Sequence, residues 1–298
     1  MRSTSIMAAV AVAVLALAAC GDDDNGDVST TDGPTDGPTD DNGGGGDLSY
    51  PTGADDLVLQ VTNVNVTTAP GSEIGTVPFF SLYGDGRVIT VGPTTQEFPG
   101  AALPNLVQGT ISTEDVEAIL SDADAAGLLD GEPDLGDVGL AGGSTTIITI
   151  NAGGEERRID AYAVDAGDSE DELTDEQEAA RERVSEFVSS LNGDTADAEY
   201  QADAVGVFVQ SPFDSGDEAE EIDWPLGDLA DAGEPIESTS DIRCVVFTGD
   251  DAQTVLDAAA AARENAVWLS EGEPYSLTFR PLLPNEETCA DLEGAGAR

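Results

Sequence analysis

Apolar and polar positions divide this chain into four stretches. Residues 6–19 are almost continuously apolar, mostly Ala, Val and Leu. Residues 21–47 carry almost no apolar side chain. From about residue 50 the periodicity of folded elements begins and runs nearly to the C-terminus. Leu57-Val58-Leu59-Gln60-Val61 and Val64-Asn65-Val66 predict a strand with an irregularity near Thr62-Asn63. Residues 79–83 and 87–91 flank Gly84-Asp85-Gly86, which predicts a β-hairpin whose turn residues tolerate positive φ. Ser112 with Asp115 predicts the start of a helix. Val116, Ile119, Leu120 and Ala123 share one face of it, and Gly127 closes it before Leu128-Leu129 return to the core. Residues 145–150 and 158–164 predict a second hairpin across Ala152-Gly153-Gly154. Thr174 with Gln177 predicts a second capped helix, with Ala180, Val184, Phe187, Val188 and Leu191 on its apolar face and Asn192-Gly193 at its end. The acids of residues 168–178 sit at its N-terminus, where the helix dipole favours negative charge, so solvated capping accounts for them better than a metal site.

The pattern then starts again. Val205, Val207 and Val209 alternate as a strand. Residues 211–223 read as an acidic loop and residues 243–248 as a strand. Asp250 with Gln253 reads as the cap of an Ala-rich helix reaching about Asn265. Tyr275, Leu277 and Phe279 alternate on a final strand ended by Pro281 and Pro284. Strand, capped helix, apolar exit and strand occur in that order in both halves. The predicted fold class is therefore α+β: two small antiparallel-sheet-plus-helix units, at residues 50–195 and 200–298, related as a degenerate structural repeat. The alternative is a parallel β-α-β pair within one larger sheet.

Composition narrows the chemistry. The chain has 61 acids, 10 Arg, no Lys and no His, for a net charge of −51. Such a surface repels nucleic acid and anionic headgroups and keeps the chain soluble, while its self-repulsion favours a salty, or salty and alkaline, habitat that screens it. Without His there is no Ser-His-Asp or Cys-His catalysis and no imidazole metal ligand. Without Lys there is no Schiff base and no P-loop lysine. Carboxylate, hydroxyl and oxygen-ligated cation chemistry remain. No catalytic, cofactor-binding or metal-binding residue is assigned.

The first 20 residues are the informative ones. One Arg, about 14 apolar residues and then Leu17-Ala18-Ala19-Cys20 resemble the signal of bacterial lipoproteins. The apolar run is too short for a hydrocarbon core that needs ~20 residues, but it has the length of a secretory signal. The resemblance implies that residues 1–19 are a signal peptide cleaved after Ala19, with diacylglycerol on the Cys20 sulfur and palmitate-type chains in the membrane. Two chains anchor stably where one does not. Removing Arg2 leaves nine Arg against 61 acids, a net charge of −52. Residues 20–47 then form an acidic tether with nine Asp, the repeat Thr31-Asp32-Gly33-Pro34 and Thr35-Asp36-Gly37-Pro38, and four consecutive Gly. Such a segment stays unfolded and spans ~30 Å as a flexible coil. Asp22 to Asp27 lacks the spacing of an EF-hand loop.

In an exported chain with Cys20 acylated, Cys244 and Cys289 are expected to pair. Closing about 45 residues stabilises by roughly 4 kcal/mol in the chain-entropy model. Phe213-Asp214-Ser215-Gly216 matches the core of aspartic peptidases. That chemistry needs two carboxylates sharing a proton, and the sequence has no second copy, so an acidic loop is the better account. Gly142-Gly143-Ser144 is not a nucleophile elbow. Trp224 and Trp268 are expected to fill a core rather than face a carbohydrate.

Taken whole, the lipobox, acidic Gly/Thr/Pro tether and globular part resemble uncharacterised cell-surface lipoproteins of Actinobacteria. Residues 80–127 are similar to envelope domains with a Leu-Tyr-Gly-Asp-Gly-Arg-Val hairpin and a following Ser-Thr-Glu-Asp-Val-Glu helix. The resemblance implies a chain held on the extracytoplasmic face of the cell membrane and imports no activity. The expected function is a non-enzymatic module that binds or organises an envelope protein or polymer, without cofactor and without nucleic acid. The alternatives are a carboxylate-based hydrolase of wall polymer or peptide, and a weak divalent-cation binder.

Overall fold

The computed structural model describes residues 48–65, 74–140, 142–165, 173–191, 196, 198–212, 219–236 and 239–293. Cys20, the tether, residues 213–216 and Asn192-Gly193 lie outside them. These described residues belong to one compact unit, which contains two sheets and has an α+β fold.

The first sheet has the order β6-β5-β1-β2-β3-β4-β7, with every pairing antiparallel. Its strands are β1 (Leu57–Asn65), β2 (Phe80–Tyr83), β3 (Arg87–Val91), β4 (Leu106–Thr110), β5 (Ser144–Ala152), β6 (Glu155–Tyr162) and β7 (Ala198–Glu199). The irregularity expected near Thr62-Asn63 lies elsewhere. β1 runs unbroken against β5 from Leu59 to Asn65, and its register against β2 slips between Leu57 and Leu59. The extra residue there lets Val58 and Leu59 both join the core beneath the helices. The β2–β3 turn has no room to spare. A Cβ on Gly84 would strike the Pro51 carbonyl, while Gly86 holds φ +82° against the Ile111 carbonyl.

Two helices, α1 (Thr113–Ala125) and α2 (Asp175–Ser190), cover one face of this sheet. Both start with complete capping boxes, Ser112 with Asp115 and Thr174 with Gln177, which satisfy two otherwise orphaned N–H groups reciprocally. Val116, Leu120 and Ala123 of α1, and Val184, Phe187 and Val188 of α2, bury against Phe80, Leu82, Val88, Ile148 and Ile150. Gly127 takes φ +82° and closes α1, and Leu128 is fully buried beyond it. Arg181 is buried in α2 because its guanidinium donates to the carbonyls of Leu135, Tyr162 and Ala163.

The second sheet has the order β10-β11-β8-β13-β12-β9. It contains β8 (Ala204–Gln210), β9 (Glu221–Asp223), β10 (Glu234–Ile236), β11 (Thr239–Thr248), β12 (Val267–Ser270) and β13 (Glu273–Pro281). All its pairings are antiparallel except β9 with β12. β11 and β12 are therefore not the parallel neighbours of a β-α-β unit. β9 corrects the loop expected over residues 211–223: its three residues carry little pattern and become a strand by pairing with the edge of β12. β12 joins β13 through Glu271 and Gly272, at φ +51° and +86°, a two-residue loop with both residues left-handed.

Helix α3 (Gly249–Ala260) packs Ala252, Val255 and Ala259 onto this sheet. Its cap differs from expectation. β11 stays paired through Thr248, so the chain enters the helix directly at Gly249, with φ +59°. Asp250 falls in the first turn, Gln253 donates to Asp257, and the cap residue Thr248 makes no side-chain cap bond. The helix also stops short of Asn265. The loop before β4 takes over its exit: Ala102 N–H donates to the Ala262 carbonyl, and Glu264 N–H donates to the Gly100 carbonyl.

On the α3 side of the sheet, Trp268 lies edge-on to both Trp224 and Phe279, at 5.9 and 5.2 Å between ring centroids. The opposite face holds Phe208, Ile242 and Cys244, covered by Leu292 of the short helix α4 (Cys289–Glu293). Gly206 permits this approach, since a Cβ there would collide with Leu292.

Candidate functional site

The described residues among those singled out from sequence serve the fold. Cys244 and Cys289 are joined as a disulfide, with Cα atoms 5.9 Å apart, and this fastens α4 to β11. Trp224 and Trp268 are buried at 7% and 1% exposure. The Gly143 N–H donates to the Tyr162 hydroxyl at 2.8 Å, and that hydroxyl donates to the Leu140 carbonyl. Asp85 accepts from the Arg87 N–H within its own turn. Cys20 and residues 213–216 lie outside the described residues.

The densest buried chemistry lies where the chain leaving β13 meets the face of the first sheet that the helices do not cover. Side-chain alternation on β2 and β3 sends Phe80, Leu82 and Val88 toward the helices, and Tyr83 and Ile89 to the other face. There Tyr83, Ile89 and Leu106 form a small core with Leu283, which follows β13. Arg280 and Glu286 pair at 2.8 Å with side chains only 3% and 6% exposed. Arg280 also donates to the carbonyls of Thr76 and Pro281, and the Leu283 N–H donates to Glu286 at 2.7 Å. Tyr83 donates to Asn285 Oδ1 at 2.9 Å, and Tyr200 to the Leu282 carbonyl at 2.8 Å.

Burial governs the ionisation of this seam. It raises the Glu286 carboxyl above its ordinary value, against the opposing pull of Arg280 and the Leu283 N–H. It pushes the Tyr200 phenol up to about 12 and raises Tyr83 further. Arg87 sits over the Tyr83 ring, 5.3 Å from its centroid, and donates to the Ala54 carbonyl at 2.6 Å. Sequence reasoning missed this cluster. The available signal was an Arg between Phe279 and Leu282-Leu283, in a chain with few Arg, followed six residues later by a Glu.

Clefts open at the surface among the described residues. A groove of about 340 Å³ runs between α1 and α2, with Phe80, Val88, Ile111, Ile119, Phe187 and Leu191 as its apolar lining. A polar cleft of about 360 Å³ lies between β4, β7 and α3, where Glu199, Asp203 and Asp257 stand with Asn105, Tyr200 and Gln253. A hollow of about 350 Å³ at the β5–β6 turn is lined by Ser49, Tyr50 and Glu155, next to the start of the described chain. Among the described residues no group of three or more His, Cys, Asp or Glu side chains is placed to hold a metal ion. None of their helices is long and apolar enough to cross a membrane. In comparisons with known proteins the chain matches no family model, no curated protein and no solved structure.

Proposed function

We propose that this chain is a lipid-anchored module on the extracytoplasmic face of the cell membrane that binds an envelope partner without catalysing a reaction. The observation that carries the reading is how the buried ionisable groups are used. Arg280, Glu286, Tyr83 and Tyr200 are all engaged in closing the seam between the two sheets. The apolar groove between α1 and α2 offers contact surface and no nucleophile. The lipobox residues Leu17-Ala18-Ala19-Cys20 supply the anchor, and the tether enters the folded part at Leu48 and Tyr50, which pack against the first core.

The test has two arms. Mass spectrometry of the detergent-extracted protein should find an acylated Cys20 N-terminus, and Cys20→Ser should release the protein from the membrane fraction. Cross-linking in intact cells, followed by isolation at the salt concentration of the habitat, should enrich a defined envelope component. An unmodified Cys20, or cross-linking that enriches nothing, rejects the corresponding half of the proposal.

The polar cleft favours one second reading, because Glu199, Asp203 and Asp257 line the same cavity. A carboxylate-based hydrolase would act there with one acid protonated and one ionised. Incubation of the mature protein with purified wall polymer should release no soluble fragments under the binding reading. Release that is abolished by Asp203→Asn would replace it with the hydrolase.

A further inference from the structure

We infer that the groove between α1 and α2 is the docking site for a cationic amphipathic helix of a partner protein. The inference rests on the binding reading above and names its site and its partner chemistry. The groove has an apolar floor and one acidic edge. Phe80 and Val88 form the floor, Ile119 and Phe187 stand on the two walls, and Asp115 and Asp122 are exposed along the α1 side. No basic side chain lines it.

Charge selects the occupant. The α2 C-terminus reaches the groove through Ser190 and Leu191, bringing the negative end of a helix dipole. Neither helix has a basic residue in its last turn to offset that end. The two arginines of α2 do not neutralise the site: Arg181 is turned inward onto backbone carbonyls, and Arg183 does not line the groove. Asp115 uses one oxygen in the α1 cap yet keeps its charge, because its bonds from Ser112 hold its pKa below the ordinary value. The mature chain as a whole carries nine Arg against 61 acids. Anionic lipid and nucleic acid are repelled, and a cation is held at the groove rather than elsewhere on the acidic surface only if it also brings apolar surface to fill the floor.

Size selects the form. At about 340 Å³ the groove lies at the small end of ligand cavities, room for a pair of large side chains rather than a cofactor. A helix presents such a pair at i and i+4 on one face while its flanks carry Lys or Arg to the rim.

The test titrates the mature full-length chain, made soluble by Cys20→Ser, with a fluorescent Leu/Lys peptide of about 15 residues whose Leu residues fall on one helical face. Work at about 0.15 M NaCl, where the screening length is about 8 Å, keeps the rim charges effective, and the control peptides report the attraction to the acidic surface at large. One control peptide has the same composition with its Leu scattered, and another carries Glu in place of Lys. Saturable one-to-one binding is expected, at least about tenfold tighter than either control. Ala118→Trp fills the mouth of the groove from an exposed helical position and should weaken binding by about tenfold or more with an unchanged melting temperature. Asp122→Arg, an exposed rim substitution, should shift preference toward the Glu peptide. Equal binding of the scattered peptide, or full binding by a folded Ala118→Trp protein, overturns the inference. If the peptide fails to bind while cells carrying Ala118→Trp still cross-link the wild-type partner, the groove assignment falls and the binding function stands. If wild-type cells cross-link no partner either, the binding function itself falls.

Discussion

The two sheets hold their helices in different ways. On the first, α1 and α2 begin with complete capping boxes, so the residues that start each helix also satisfy its end. On the second, α3 leaves β11 with no intervening loop and no side-chain cap, and α4 has only five residues. What holds them is distant in sequence. The Cys244–Cys289 bond reaches across 45 residues, the Trp224–Trp268–Phe279 stack packs beneath α3, and the chain after β13 docks on the first sheet. A helix can close its own ends locally, but a short unit with a small core needs long-range ties.

The largest effect is expected where the second sheet's exit chain meets the first sheet. Glu286→Ala leaves Arg280 charged, buried and without its carboxylate, and should lower unfolding free energy by about 3–5 kcal/mol in urea titrations. A loss below about 1 kcal/mol would mean that the seam is solvated and the two sheets are held otherwise.

Cutting the covalent tie comes next. Non-reducing peptide mapping should recover a linked Cys244–Cys289 fragment, and replacing both residues by Ser should cost about 4 kcal/mol by the chain-entropy account. Two free thiols in the mature protein would remove this half of the contrast.

The caps give a smaller and more selective effect. Thr174→Ala should destabilise by about 1 kcal/mol, whereas Thr248→Ala, at the uncapped start of α3, should change stability by only a few tenths. Equal losses at the two positions would erase the distinction between the helices.

Ionisation sharpens the same picture. The Tyr200 phenol is raised to about 12, so its contribution is fully present below the ordinary tyrosine value of 10.0 and is lost as pH rises through about 12. Absorbance titration should show this late ionisation, and Glu286→Ala should bring it down. Asp291 behaves oppositely. Burial pushes it up, but bonds from the Glu287 and Thr288 N–H groups and the Thr288 hydroxyl outweigh that and hold it below 3.8. Its contribution is present above that value and is lost as pH falls through the lower folded one. Carboxyl chemical shifts should place Asp291 below, and Glu286 above, their ordinary values.

Much of the local architecture was legible in advance. The Gly84-Asp85-Gly86 turn, the hairpin across Gly153-Gly154, both capping boxes and the buried faces of α1 and α2 each depend on residues within one or two turns of one another. Places where a neighbour from elsewhere intervenes were not legible. Pairing with Ala204 carried β11 through Thr248 and moved the α3 cap. The loop before β4 ended α3 early, and the β12 edge made a strand of Glu221–Asp223. The candidate site followed the same rule: Ile119, Phe187 and Leu191 could be read as apolar helix positions, but not that α1 and α2 leave an open groove above Phe80 and Val88.

By itself, then, the amino-acid order determined the alternation of strands and helices, two of the helix starts, and the chemistry denied by the missing His and Lys. Those properties need only local geometry or composition. The tertiary structure alone decided that one face of the first sheet receives the second sheet's exit chain, that Arg280 and Glu286 are buried together, and that an acidic edge flanks an apolar groove. Each of these depends on surfaces brought together across long separations in sequence, and no periodicity within a single segment encodes which surfaces will meet.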